Sequence, residues 1–309
     1  MWWAEALADS FRYPASPLPI CLFRLVVAVA ALYKFGYEHH RGAWRWFQPE
    51  SYVYYRYRHE HPRFPVGPTG YRVLYVAKWA GAAALLVGVL PQLAALVLAV
   101  WFLFELRYDR KFHTAYLGLC ALFLAASPAL DAALTWRTVV DARSGGLSVV
   151  LRAEAARVAD DVFAQLLLML LTVQMYLSSA YRKLRSPQFM SGAALHTFTA
   201  SLHAERHAQR FRDTWYPQAL VRRLVDVPQP VGQRRWRPAA VATVVLEAAL
   251  PVALLVPATL PVAVLFGALM HAAFTAVLPV RLVPFSLATV GSYLLFVDPV
   301  MAAHWSIFR

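Results

Sequence analysis

Cysteine is almost missing from this chain. Two occur in 309 residues, Cys21 and Cys120, both inside apolar runs, which excludes a disulfide framework and a thiolate metal site. Charge is also scarce, at 15% of residues, and acidic charge scarcer still, with 17 Asp and Glu against 30 Lys and Arg. In a soluble chain the formal net charge of +13 would suggest nucleic acid. Here the basic residues fall in the connections between apolar runs, where they meet anionic headgroups and set topology, so no nucleic-acid partner is expected. The N-terminal stretch, with Glu5, Asp9 and Arg12 ahead of the first apolar run, lacks a basic n-region and a small-residue cleavage site. It is read as mature protein. No internal repeat is visible, which argues against a repeat array.

Hydrophobic residues make up 60% of the chain and aromatics 14%, a composition that belongs in a bilayer. The fold class expected is an all-α integral membrane protein, a polytopic helical bundle with about eight transmembrane helices. A bilayer core demands roughly 17–25 apolar residues per helix, and candidate runs lie at 19–37, 71–90, 91–105, 112–129, 161–181, 239–257, 260–278 and 283–298. Proline-bearing turns at "GVLPQ", "VPATLP" and "LPVRLVP" separate neighbours into hairpins. A single membrane domain over 1–309 is expected, with two interfacial segments. One, 38–70, interleaves Trp44, Trp46, Phe47, Tyr52, Tyr54, Tyr55 and Tyr57 with arginines; it reads as a re-entrant headgroup-layer segment or as a lid over a lipid-like substrate. The other, 201–237, mixes apolar and basic positions as a surface-lying amphipathic helix does.

Alternating the runs across the membrane places 20 Lys and Arg on the side of loops 38–70, 106–111, 182–238 and 279–282, against 6 on the other. The positive-inside rule then makes the Lys183 face cytoplasmic, in a multi-pass protein of the plasma membrane, with membrane lipid as a partner.

Ionisable groups in or beside hydrocarbon are costly, which makes them functional candidates. They are Arg24 in "CLFRLVV", Glu105 and Asp109 in "FELRYD", His113 in "KFHTAYL", Lys183 in "YRKLRS", Glu247 and His271. Alternation puts Asp109, His113 and Lys183 near one membrane face. Each has a plainer reading. Lys183, between Arg182 and Arg185, serves equally as a stop signal, His113 as a hydrogen-bonded core histidine, and Arg24 with Glu247 or Glu105 as a structural ion pair. Ten histidines raise the question of a di-iron oxygenase. "HAERH" sets His203 and His207 one turn apart and "HEH" holds His59 and His61, but the only adjacent pair is His39–His40 and no HxxHH box occurs. No metal is expected.

Four stretches change the balance. "LFRLVVAVAALYKFGYEHHRG", "FELRYDRKFHTAYLGLCALFL", "QMYLSSAYRKLRSPQFMSGAAL" and "LMHAAFTAVLPVRLVPFSLATVGSYLLF", in that order, resemble the membrane domain shared by vitamin K-dependent gamma-glutamyl carboxylase and its bacterial relatives, the HTTM proteins. The resemblance spans nearly the whole chain. It implies a catalytic base at Lys183, assistance to carboxylation at His113, and Asp109 and His271 around the same cavity, with Arg24 and Glu247 as further cofactor-binding candidates. It implies a quinol epoxidase and carboxylase that uses a reduced naphthoquinone of the vitamin K or menaquinol type, O2 and CO2 on a small or peptide substrate. A base must be neutral, and desolvation with the adjacent Arg182 and Arg185 charges would favour the neutral amine. His113 would donate a hydrogen bond to developing negative charge.

The sequence departs from the family in three places. The carboxylases carry a large extramembrane domain that holds the substrate propeptide, whereas this sequence ends at Arg309. Recognition of a protein substrate by that route is therefore not expected. Phe189 stands where the family has a tryptophan, with one more residue before Gly192. The charge bias also puts the Lys183 face opposite to its side in the animal enzymes. The alternative function is a non-catalytic membrane scaffold, or a partner in peptide maturation or transport, that retains the fold.

Overall fold

The computed structural model describes residues 16–61, 66–138, 140, 163–208, 223–277 and 280–297. Among them there are helices and no strand. In chain order they are α1 (Leu18–His40), α2 (Tyr52–Glu60), α3 (Pro68–Val87), α4 (Pro91–Tyr108), α5 (Phe112–Ala125), α6 (Phe163–Leu184), α7 (Pro187–Met190), α8 (Ala193–Ala208), α9 (Gln229–Leu255), α10 (Leu260–Val277) and α11 (Val283–Ser292). Short 3-10 turns lie at Ala43–Arg45, Pro128–Asp131, Val280–Leu282 and Tyr293–Phe296.

The protein is a helical membrane protein. Each of the eight apolar runs contains a helix, but four helices, α1, α4, α6 and α9, are both long and apolar enough to cross a bilayer. A fifth crossing results if α5 and Pro128–Thr138, bent by 80°, count as one. The reasons for the shortfall are local. The 14 residues of α5 rise only about 21 Å, against a hydrocarbon core of about 30 Å. The 10 residues of α11 reach less far. Helix α3 is long enough, with 20 residues, but Arg72 and Lys78 interrupt its apolar character. Outer faces carry exposed aliphatic stripes: Leu93, Leu96, Val100 and Leu103 on α4, and Val262, Leu265 and Leu269 on α10, each between 46% and 57% exposed. Stripes of that size suit lipid rather than water.

The described residues form two compact units, one reaching to Met169 and including Val297, the other Leu170–Phe296. In the first, α1, α3, α4 and α5 pack together, and the segment expected at the interface folds under them. Ser51 caps α2 through the Val53 amide. Phe47 stacks on Tyr71 of α3 with ring centroids 4.3 Å apart and 5° between planes. It also touches Tyr57 of α2 and Phe104 of α4, while the Tyr71 hydroxyl donates to the Ala43 carbonyl at 2.7 Å. The outward side of α2 keeps Tyr52 and Tyr55 exposed.

In the second unit the expected amphipathic helix over 201–237 is divided. Residues 201–208 close α8, 209–222 lie outside the described residues, and Gln229–Arg237 are the first turns of α9, which runs unbroken into the apolar run. Pro238 sits inside that helix. Helix α8 crosses the start of α9 at Gly192, whose φ of +82° and close approach to the Gln233 carbonyl and the Arg237 amide leave no room for a side chain.

Candidate functional site

The site candidates separate between the units. Lys183, Glu247 and His271 come together in the second; Asp109, His113 and Arg24 belong to the first.

Lys183 stands in the last turn of α6 and Glu247 in the middle of α9. The Lys183 Nζ donates to Glu247 Oε1 at 2.5 Å, with 25% of the lysine side chain and 5% of the glutamate side chain exposed. Successive helix positions point about 100° apart, so Arg182 and Arg185 face outward and are exposed while Lys183 turns in. Arg185 pairs instead with the Tyr181 hydroxyl at 2.7 Å. The charge nearest Lys183 is thus the Glu247 carboxylate rather than the two arginines. Phe189 and Phe274 place their ring centroids 5.4 and 5.6 Å from Nζ, an arrangement that favours an ammonium. Pro251, one turn beyond Glu247, lacks the amide that would bond the Glu247 carbonyl in a regular helix.

His271, on α10, is 3% exposed. Its Nε2 lies 2.8 Å from the Tyr176 hydroxyl, and the same hydroxyl is hydrogen-bonded to that of Tyr293. Tyr293 fits because Gly267 presents no Cβ beneath its phenol. Phe274 and Phe285 flank the imidazole, with centroids 5.7 and 6.0 Å away. Lys183 is within electrostatic reach of His271, and Glu247 of Tyr293. Two buried polar atoms of this cluster have no partner, Glu247 Oε2 and His271 Nδ1.

In the first unit Asp109 ends α4 and binds the ammonium of Lys111. His113 is the second residue of α5 and half buried. Arg24, fully buried, pairs with neither Glu247 nor Glu105. Its guanidinium donates to the Leu130 carbonyl at 3.1 Å and to that of Leu134, and so ties α1 to the turn after α5. Leu134, at the carbonyl end of this tie, has a positive φ of 52°.

Sequence reasoning singled out Glu105 in this unit but missed the charged group to which it belongs. Lys34 and Glu38 on α1, Lys78 on α3 and Glu105 on α4 are all at most 6% exposed. Lys34 binds Glu38 and, at 2.5 Å, Glu105; Lys78 binds Glu38 at 3.1 Å. Trp101 Nε1 and Thr114 Oγ1 each donate to Glu105 at 3.2 Å. Phe35, Tyr75 and Trp101 surround the Lys78 ammonium at 4.1 to 4.4 Å. An available signal was Lys34 with Glu38, opposite charges one helical turn apart inside an apolar run. Tyr176 was likewise visible, two helical turns before Lys183 and on the same face.

Among the described residues no three His, Cys, Asp or Glu side chains cluster as metal ligands would; the side chains of His203 and His207 lie outside them. Comparison with family models, curated proteins and solved structures finds no match.

Proposed function

We propose that this chain is a membrane enzyme of the HTTM type, resembling the vitamin K-dependent carboxylases, in which Lys183 and Glu247 form a proton-transfer site for a reduced naphthoquinone. The observation that carries the reading is the incomplete bonding of that pair. Glu247 gives one oxygen to Lys183 and keeps the other buried without a partner, and the His271 imidazole, within electrostatic reach of Lys183, has an unpartnered Nδ1 as well. Buried polar atoms are nearly always bonded in a finished protein. A hydroquinone fits them, having hydroxyls for Glu247 Oε2 and His271 Nδ1 and a flat apolar ring for Phe274 and Phe285. When bound, it supplies the reducing equivalents that activate O2.

The chain's own residues handle protons. In the proposed step the Lys183 proton passes along its hydrogen bond to Glu247, which leaves a neutral amine and a neutral acid. The amine then accepts a proton from a hydroxyl held beside it. The proposal rests on the second unit alone. Its wider form couples quinol oxygenation to proton abstraction and carboxylation of a small or peptide substrate. It places α3, α5, α10 and α11 beside the four long helices as eight crossings of the plasma membrane, with the Lys183 face cytoplasmic.

The test is O2 uptake by the full chain in lipid nanodiscs supplied with a reduced naphthoquinone. Wild type should consume O2 and form epoxide. Lys183→Ala and Lys183→Arg should both be inactive, because arginine keeps the charge and does not give it up. Turnover in Lys183→Arg refutes the base role. No turnover in wild type with any naphthoquinol refutes the enzyme reading in favour of a scaffold.

A further inference from the structure

Tyr293, Tyr176 and His271 form a buried line of hydroxyl, hydroxyl and imidazole. Tyr176 and Tyr293 are 2% and 1% exposed and His271 is 3% exposed. Two hydrogen bonds join them, Tyr293 to Tyr176 and Tyr176 to His271 Nε2, with the phenol rings stacked at 6.4 Å. One end of the line lies within electrostatic reach of Glu247, whose Oε2 is buried and unpartnered, and the other end is His271 Nδ1, also buried and unpartnered. A line of groups that each donate and accept, with an unsatisfied nitrogen at one end, is the arrangement along which a proton hops.

We infer that Tyr293 and Tyr176 are a proton relay to His271 that draws its proton from the Glu247 carboxyl through a bridging water or ligand hydroxyl. This deepens the site proposed above and rests on it. The transfer balances. In the starting state Tyr293 donates to Tyr176, Tyr176 donates to Nε2, and His271 carries its proton on Nδ1. Protonated Glu247 passes its proton through the bridging hydroxyl to the Tyr293 oxygen, Tyr293 passes its own to Tyr176, and Tyr176 passes its own to Nε2. The Nδ1 proton leaves to an acceptor bound there. Glu247 ends ionised and ready to take the next proton from Lys183, and every oxygen and nitrogen keeps its normal valence. Tyr176 and Tyr293 act as positioning and relay residues; neither is asked to touch the reacting carbon or oxygen atoms.

The relay is tested without turnover, by the ring-nitrogen NMR signals of His271 in 15N-histidine-labelled full chain in nanodiscs, assigned with His271→Gln. Glu247→Gln should change the ratio of the two His271 tautomers by about threefold or more, the low end of coupling between hydrogen-bonded neighbours. In the Tyr293→Phe background, and again in Tyr176→Phe, the same Glu247→Gln change should leave the ratio unaltered. Phenylalanine removes only the hydroxyl, and an unchanged melting temperature would verify that the packing survives. An equal response to Glu247→Gln in wild-type and Tyr293→Phe backgrounds overturns the relay, because coupling through space does not need the hydroxyl. Failure of naphthoquinol turnover with the NMR coupling intact overturns the function and leaves the relay standing.

Discussion

Lys34, Glu38, Lys78 and Glu105 in the first unit and Lys183 with Glu247 in the second use the same chemistry, ammonium against carboxylate on apolar helices. They differ in completion. In the first group two cations face two anions, both oxygens of Glu38 and of Glu105 accept hydrogen bonds, and three aromatic rings close around Lys78. In the second, one carboxylate oxygen and one imidazole nitrogen are buried without partners, and the lysine is a quarter exposed. A saturated buried network specifies how helices meet and has nothing left to bind with. An unsaturated one is tolerated where something else completes it. Arg24 is mixed: its two terminal nitrogens donate to main-chain carbonyls, while its buried Nε has no partner; no family-derived cofactor role for it enters the proposal.

The comparison can be broken most severely at Glu105. Glu105→Ala strips the partner from Lys34, Trp101 and Thr114, and removing one member of a buried ion pair costs about 3–5 kcal/mol. The full chain should lose its monodisperse profile in detergent or melt far lower. Replacing all four charged residues together by Met and Leu should restore the wild-type melting temperature, because apolar packing of similar volume is close to neutral. If the single change is harmless, the saturated network is not what holds α1, α3 and α4.

Lys183→Met should cost less in stability, about 1–3 kcal/mol for an unsatisfied carboxylate at a partly open position. Naphthoquinol-dependent O2 uptake should fall by about 10²–10⁴-fold, as loss of a general base predicts. A variant that keeps its activity while losing stability would move the pair to the structural side of the comparison. Gly192→Ala, at a left-handed position, should cost more in thermal melts than the about 1–2 kcal/mol of that conformation alone, because the added Cβ meets the Gln233 carbonyl and the Arg237 amide of α9. A smaller change would show that α8 yields easily.

The smallest effects belong to α2. Tyr55→Ser removes an exposed ring and should stay within about 0.5 kcal/mol. The hydrogen bond from Arg56 holds the Glu60 carboxyl below its ordinary range, so its contribution is present above that range and lost as pH falls through the lowered value. Because both side chains lie at the surface, 50% and 33% exposed, Glu60→Gln should leave the melting temperature unchanged at neutral pH. A measurable shift there would mean that surface charge rivals the buried network.

Legibility followed the kind of signal. The eight apolar runs and their proline turns located eight helices, since hydropathy is additive along a chain and proline acts on its own neighbours. Crossing number was less legible, because length and charge within α3, α5 and α11 decide it residue by residue. Lys183, Glu247 and His271 were each visible as ionisable groups in apolar surroundings, but their meeting was not, for they lie on three helices far apart in sequence. Arg182 and Arg185, adjacent to Lys183 in sequence, point outward while Lys183 turns in, because successive helix positions face different ways.

What the sequence by itself determined is the solvent and the helices: 60% hydrophobic residues and few charges leave only structures whose backbone bonds are closed within each segment. What the tertiary structure alone decided is which charge meets which. Lys34 found two carboxylates and Lys183 one, because ion pairing depends on distances of a few ångströms between residues separated by 71 and 64 positions, and no periodicity along a chain encodes such distances.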